Sequence, residues 1–99
     1  MVHEALFLLR RIPKGRVTTY KMLAEKCKTS PRAIGQIMKY NKDLKLYPCY
    51  KVINADGKTG GYSGSIRGKK IKRKILLLKK DGIEIKNGKI DKKYFYRFI

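Results

Sequence analysis

The sequence is poor in residues that bind structural metals. Its 99 residues include two cysteines, Cys27 and Cys49, and a single histidine, His3. These three residues do not have the spacing of a zinc-ligand set, so a structural zinc site is excluded and no metal or organic cofactor is expected. Because nothing in the sequence indicates secretion, we expect both thiols to stay reduced rather than to form a disulfide.

Long apolar runs and targeting segments are also lacking. No run approaches the roughly 20 apolar residues that cross a bilayer, and no secretory or transit signal precedes the first amphipathic segment. We therefore expect one soluble domain over residues 1–99, monomeric and cytoplasmic (nucleoid-associated), with no membrane partner. At this length folding buries only about 60–65% of the surface of the unfolded chain, so the core is small.

Acidic residues are scarce. The chain has 7 of them against 26 basic residues, which gives a formal net charge of +19. A compact chain with this charge repels itself unless a polyanion or salt compensates. Abundant lysine can also reflect genome composition or a hot habitat, but so few carboxylates cannot pair the surplus. Nucleic acid is therefore the expected partner.

Three helices are predicted in the first half of the chain. Apolar residues at helical spacing indicate one within 3–12, ended by Pro13 and Gly15. Thr19 can cap a second helix from Tyr20 to about Lys26, and Ser30 followed by Pro31 begins a third through Tyr40. Two short helices joined by a tight turn are typical of a helix-turn-helix.

The third helix has two different faces. At 100° per residue, one side carries the residues predicted to pack, Ile34, Ile37, Met38 and Asn41. The other side is expected to face a partner and carries Arg32, Gln36 and Lys39.

The second half of the chain mixes extended and helical signals. Residues 44–53 have extended character, and 55–58 form a turn. A glycine-rich loop at 60–64 can fold closely around a planar ligand. A helix is predicted over 69–80, followed by a hairpin over 83–90.

The fold class that follows is mainly α. We expect a three-helix, winged-helix-like domain of the helix-turn-helix type with a small β component and a C-terminal hairpin, whose Asn87–Gly88 pair suits a two-residue turn. The aromatic tail is expected to pack on the body; its members are Tyr94, Phe95, Tyr96 and Phe98.

One segment points to specific chemistry. Residues 48–53 place Cys49 between a proline and a basic, β-branched run, and the glycine-rich loop follows. This pattern resembles the active-site segment of the O6-alkylguanine-DNA alkyltransferases, which usually reads Pro-Cys-His-Arg-Val before a Gly-Gly-Tyr-Ser-Gly-like loop. Other segments occur in the family's order, namely 12–20, 31–35 and Asn41. The chain is similar to the short alkyltransferase-like proteins that lack the N-terminal domain, but it retains the cysteine.

The resemblance implies DNA repair. The partner would be double-stranded DNA with an alkylated guanine, which is rotated out of the stack before the alkyl group passes once to Cys49. On this basis the residues of the base pocket are Tyr20, Val52, Tyr62 and Ser63. Arg32 would fill the gap in the stack, small Ala33 and Gly35 would permit close approach to the minor groove, and Gln36, Lys39 and Lys51 would contribute to DNA binding. Asn41 matches the family's bracing asparagine.

The proton relay departs from the family pattern. Tyr50 stands in place of the histidine beside the cysteine, and Asp81 stands at the position of the glutamate behind it. A phenol is a poor base at neutral pH, although Lys51 and the positive surroundings favour a thiolate. Slower transfer is therefore expected.

Two alternatives remain open from the sequence. One is a protein that binds O6-alkylguanine without chemistry and recruits other repair proteins. The other is a chromosomal or RNA-binding protein that uses only its basic surface, and which would show no preference for alkylated DNA at matched salt.

Overall fold

The elements of the fold are described for residues 3–41, 43, 46–59 and 69–98 of a computed structural model. In chain order they are α1 (Glu4–Leu9), β1 (Thr18–Thr19), α2 (Tyr20–Cys27), α3 (Pro31–Lys39), a 3₁₀ turn (Cys49–Lys51), β2 (Val52–Ile53), α4 (Lys69–Lys80), β3 (Ile85–Lys86), β4 (Lys89–Ile90) and a second 3₁₀ turn (Lys92–Tyr94). The predicted glycine-rich loop at 60–64 lies outside the described residues.

The second and third helices begin at the caps that the sequence predicts. The Thr19 side chain accepts a hydrogen bond from the backbone N–H of Met22 at 3.0 Å. In the same way the Ser30 hydroxyl accepts one from Ala33 at 3.1 Å. Each cap satisfies a backbone donor that the helix itself leaves unpaired. The predicted starts of α2 and α3 are therefore confirmed.

The first three helices pack around one core, and α3 has one buried and one exposed side, as predicted. The Ile34 and Met38 side chains are buried against the other helices. Arg32, Gln36 and Lys39 are exposed on the opposite side. The buried core residues that α1 and α2 contribute include Ala5, Leu8, Leu9, Leu23 and Ala24.

The segment after Pro48 differs from the prediction. Residues 49–51 form a 3₁₀ turn rather than extended structure, because Lys51 N–H bonds back to the Pro48 carbonyl at 3.1 Å and closes a tight turn. Only Val52 and Ile53 are a strand, and β2 pairs in parallel with β1. This pair of short strands was not predicted from the sequence.

The C-terminal hairpin and the tail are as predicted. β3 and β4 pair antiparallel, and the turn residues Asn87 and Gly88 both have positive φ, 52° and 73°, which a two-residue primed turn requires. The tail closes on the body, since Val17 N–H donates to the Tyr94 carbonyl at 2.8 Å and Tyr96 N–H donates to the Val17 carbonyl at 2.7 Å.

The predicted fold class is thus confirmed, and α4 corresponds to the helix predicted over 69–80. The described residues contain four α-helices and two small sheets. Within the part of the chain that the structure describes, no helix combines the length and the apolar character needed to span a bilayer.

A buried ion pair holds the Cys49 turn to the rest of the fold. Lys51 Nζ lies 3.1 Å from Asp81 Oδ2, and it also donates to the carbonyls of Ile12 and Pro13, at 3.3 and 3.1 Å. The same carboxylate oxygen accepts a hydrogen bond from Gly15 N–H at 3.0 Å. The loop before β1, the Cys49 turn and the end of α4 therefore meet at one cluster of charges.

This contact corrects the assignment of Lys51 to the DNA-binding surface. The side chain is only 6% exposed, and its ammonium is directed inward to a carboxylate and two carbonyls. A lysine held in this way does not present its charge to a phosphate outside.

Replacing Asp81 by Asn is expected to destabilise the fold by about 3 kcal/mol, because it leaves the Lys51 charge buried beside neutral groups. The measurement is urea unfolding at neutral pH. The matched control is Glu84→Gln, which breaks the exposed Lys86–Glu84 pair and is expected to change stability by less than about 1 kcal/mol. Equal effects of the two substitutions would contradict the structural role of the Lys51–Asp81 pair.

Candidate active site

Cys49 lies at the start of the 3₁₀ turn and is held from its N-terminal side. Its backbone N–H donates to the Tyr47 carbonyl at 2.8 Å. The Asn41 side chain donates to that same carbonyl at 2.8 Å and accepts from Asp43 N–H at 3.1 Å. Asn41 is itself buried, so it braces the segment that carries the cysteine, in the position that the resemblance implied.

The Cys49 side chain is in the core rather than on the surface. It is 3% exposed and belongs to the cluster formed by α1, α2 and α3. Tyr20, the first residue of α2, packs against the same cluster. A substrate atom that reaches this thiol must therefore enter a protein environment from which water is largely excluded.

Tyr20 is kept in its neutral, protonated form. Burial and, to a lesser extent, the nearby charge of Cys49 together raise its pKa from 10.0 to about 12. A phenol with so high a pKa carries its proton at every physiological pH. Tyr20 can therefore donate a hydrogen bond to a group beside Cys49.

A buried lysine is the third polar residue of the site, after Cys49 and Tyr20. Lys74, on α4, has no exposed surface, and its Nζ donates to the Val52 carbonyl at 2.7 Å. The same Nζ lies 5.9 Å from the centroid of the Tyr20 ring. Burial lowers the pKa of Lys74 from 10.5 to about 7, and the charge of Cys49 opposes that change. Lys74 is thus a titratable group in the electrostatic range of the thiol.

Sequence reasoning missed Lys74 because α4 contains six other basic residues, and one more lysine among them reads as solvated surface. A signal was nevertheless present. Lys74 comes three residues after Ile71 and four before Leu78, so helical spacing places it on the apolar side. A charged residue on that stripe is a candidate for a buried functional group.

Tyr50 does not have the properties of the histidine that it replaces. Burial raises its pKa, and the charge of Asp81 raises it further. The phenol therefore remains protonated and does not accept a proton at neutral pH. The Asp81 carboxylate, expected as the next member of the relay, is held by Lys51 and Gly15.

The residues expected to bind the base have different placements. The Val52 side chain is fully buried, and its carbonyl is occupied by Lys74. Tyr62 and Ser63 lie outside the described residues.

A groove opens on the other side of Tyr20. Its volume is about 890 Å³, and its walls come from α2, α3 and the turn that follows β2. Tyr20, Arg32 and Gly35 contribute to these walls. Tyr20 therefore connects the exposed face of α3 with the buried surroundings of Cys49.

The glycine in α3 is not explained by packing within the protein. A Cβ atom built on Gly35 would have no heavy atom of the described residues within 4 Å, apart from its chain neighbours and the backbone of α3 itself. Glycine inside a helix costs about 0.5–1 kcal/mol relative to alanine. Gly35 therefore lowers the stability of α3 and leaves open space at the groove. Ala33, also expected to permit close approach, is half-buried.

Comparison with known proteins assigns the chain to a family. Residues 2–83 match the profile of the 6-O-methylguanine DNA methyltransferase DNA-binding domain. The chain belongs to this family. It is 50% identical over 93 residues to a bifunctional methyltransferase/endonuclease of Picrophilus torridus, covering 92% of the chain and 29% of that protein. It is 47% identical over 75 residues to a methylated-DNA–protein-cysteine methyltransferase of Saccharolobus islandicus, covering 76% of the chain and 46% of that protein.

Solved structures with the same fold come from long and short relatives. The O6-methylguanine-DNA methyltransferase of Pyrococcus kodakaraensis superposes with a TM-score of 0.69 at 36% identity, over 81% of this chain and 44% of that one. The S. pombe protein Atl1, in complex with DNA containing O6-carboxymethylguanine, superposes with a TM-score of 0.77 over 96% of this chain and 93% of that one. At 24% identity this second likeness shows the fold alone. The chain spans less than half the length of the curated relatives described above.

The lowered pKa of Lys74 predicts how stability depends on pH. Between pH of about 7 and about 10.5 the folded protein binds fewer protons at Lys74 than the unfolded chain does. The free energy of unfolding should therefore rise with pH across this window, by up to about 1.4 kcal/mol per pH unit. Below about pH 7, Lys74 is protonated in both states, so it adds no further pH dependence. Lys74→Met removes the group and should flatten the dependence.

The measurement is urea unfolding of the wild type and of Lys74→Met at a series of pH values. Lys72→Met, at an exposed position on the same helix, is the matched control and should keep the slope of the wild type. An identical slope in Lys74→Met would show that Lys74 titrates normally in the folded protein.

Proposed function

We propose that the protein repairs DNA by transferring an alkyl group from O6-alkylguanine to Cys49, once per molecule. The observation that carries this proposal is the position of the cysteine. The buried thiol of Cys49 is held in place by Asn41 and lies in the core with the protonated phenol of Tyr20 and the buried Lys74. Tyr20 also lines a groove to which Arg32 contributes. Membership of the methyltransferase DNA-binding-domain family supports the same chemistry.

The exposed side of α3 is the proposed DNA-binding surface. It carries Arg32, Gln36 and Lys39, and the net charge of +19 attracts the phosphate backbone. Arg32, with its planar and permanently charged head, would occupy the gap left in the base stack. The open space at Gly35 would let the backbone of α3 come close to the minor groove.

The everted base would enter beside Tyr20. The phenol donates a hydrogen bond to the guanine, and its high pKa keeps that donor present at any physiological pH. The Cys49 thiolate attacks the alkyl carbon, so that an S–C bond forms while the C–O6 bond breaks and its electron pair stays on guanine. The thioether is not hydrolysed, so each protein molecule reacts once.

Incubation with a duplex containing O6-methylguanine should increase the mass of the intact protein by one methyl group in place of one hydrogen, located on Cys49 by peptide mapping. One equivalent should be taken up and no more. Cys49→Ser should remain unmodified but still bind the alkylated duplex. Unchanged mass after prolonged incubation, with the DNA shown to be bound, would contradict the transfer reaction.

A protein that recognises the lesion without chemistry is the second candidate, and Tyr50 is the observation that favours it. With a phenol of raised pKa in place of the family's histidine, the usual proton acceptor is missing. Such a protein would bind alkylated duplex more tightly than unmodified duplex at matched salt, would leave Cys49 unmodified, and would present the lesion to other repair proteins. Equal affinity for both duplexes would contradict both candidates.

Gly35→Ala should separate stability from DNA binding. The added methyl group meets no atom of the described residues outside α3, so the free energy of unfolding should rise by about 0.5–1 kcal/mol. Affinity for duplex DNA should fall about tenfold, equivalent to about 1.4 kcal/mol, because the methyl group occupies the space that the DNA backbone needs. Fluorescence anisotropy with labelled duplex measures the loss, and urea unfolding confirms that the variant is folded. Unchanged affinity would place the DNA away from this face of α3.

A further inference from the structure

Among the described residues around Cys49, one group is suited to exchange a proton near neutral pH, and it is not the residue beside the cysteine in the sequence. Tyr50 stays protonated, because burial and the charge of Asp81 both raise its pKa. Tyr20 stays protonated for the same reason of burial, with a further contribution from Cys49. Asp81 forms an ion pair with Lys51 at 3.1 Å.

Lys74 differs from each of these groups. Its Nζ is fixed by the hydrogen bond to the Val52 carbonyl, three residues after Cys49 and at the end of the same turn. Its side chain is fully buried, so its charge is weakly screened by solvent. Its charge and that of Cys49 act on each other, since the thiolate favours the protonated lysine.

We propose that Lys74 accepts the thiol proton of Cys49 and thereby supplies the reactive thiolate, in the role that the family resemblance gives to a histidine at the position of Tyr50. This inference rests on the proposed alkyl transfer. It assigns a proton acceptor on α4, a helix in which no functional residue was predicted from the sequence.

The proton balance closes without a further reactant. The thiol proton passes to the neutral amine of Lys74, which leaves a thiolate and an ammonium inside the core. When the thiolate takes the alkyl carbon, the electron pair of the broken C–O6 bond remains on guanine. The ammonium then returns its proton to guanine by way of the Tyr20 hydroxyl, whose ring lies beside Nζ. Alkylated protein, neutral lysine and neutral guanine remain.

The ionic pair is also favoured by its surroundings. Separating charge inside a protein is costly for an isolated group, but opposite charges in a poorly screened site stabilise each other, and the charge of Cys49 favours the protonated form of Lys74. The Val52 carbonyl adds a fixed acceptor for the ammonium.

The test measures thiolate formation in the absence of DNA. In a Cys27→Ser background, Cys49 is the remaining thiol, and the ultraviolet absorbance of its thiolate can be followed against pH, with Cys27→Ser/Cys49→Ala as the blank. We expect the midpoint to lie below the ordinary value of about 8.5. Adding Lys74→Gln should raise the midpoint by at least about one pH unit, which is a tenfold loss of thiolate at neutral pH.

Lys72→Gln, at an exposed site on the same helix, is the matched control and should leave the midpoint unchanged. If Lys74→Gln does not fold, Lys74→Arg keeps a charge at the site that cannot be released and should hold the thiolate to lower pH than the wild type. A midpoint that neither substitution moves would overturn the proposal.

The result is separable from the proposed function. A wild type that forms the thiolate near neutral pH but takes no alkyl group from DNA would overturn alkyl transfer and leave the Lys74–Cys49 pair standing. A wild type that is alkylated by DNA, and whose thiolate midpoint is unchanged in Lys74→Gln, would overturn only the role of Lys74.

Discussion

A single buried hydrogen bond, from the Lys74 ammonium to the Val52 carbonyl, carries much of the organisation of this domain. It joins α4 to the turn that presents Cys49, and it places a titratable charge inside a core that is otherwise mostly aliphatic. Burial lowers the pKa of Lys74 to about 7, so its charged form is less stable in the core than in water. Such a loss of stability at one position is typical of a functional residue.

Around that contact the domain is divided into two sides that meet at Tyr20. On one side, Asn41 and the Tyr47 carbonyl fix the start of the cysteine turn, and the Lys51–Asp81 pair fixes its end. On the other side, α3 presents a charged face and a helical glycine to an open groove. The arrangement suits a protein that binds a polyanion at the surface of α3 and reacts with one small group at the buried Cys49.

The sequence predicted well the features that depend on local physical chemistry. Thr19 and Ser30 cap helices because their side chains reach a backbone donor three residues on, whatever the rest of the chain does. Asn87 and Gly88 form the hairpin turn because they tolerate positive φ. The two faces of α3 also followed from spacing alone.

Features that depend on distant partners could not be predicted in the same way. The family resemblance placed Lys51 among the DNA-binding residues, whereas its partner in the structure, Asp81, lies thirty residues further on in the sequence. The parallel pairing of Thr18 with Val52 joins segments too far apart, and too short, to leave a pattern. Lys74 is an intermediate case: helical spacing places it on the apolar side of α4, but its contact with the Val52 carbonyl depends on tertiary packing.

NMR of the Lys74 side-chain nitrogen across neutral pH, in the wild type and in Cys49→Ser, measures the titration of this lysine directly. We expect a midpoint of about 7 in the wild type. We expect a lower midpoint in Cys49→Ser, because the thiolate that stabilises the ammonium is gone. A midpoint near 10.4, the value of a solvated lysine, or one that is unchanged by the substitution, would contradict the coupling of Lys74 to Cys49.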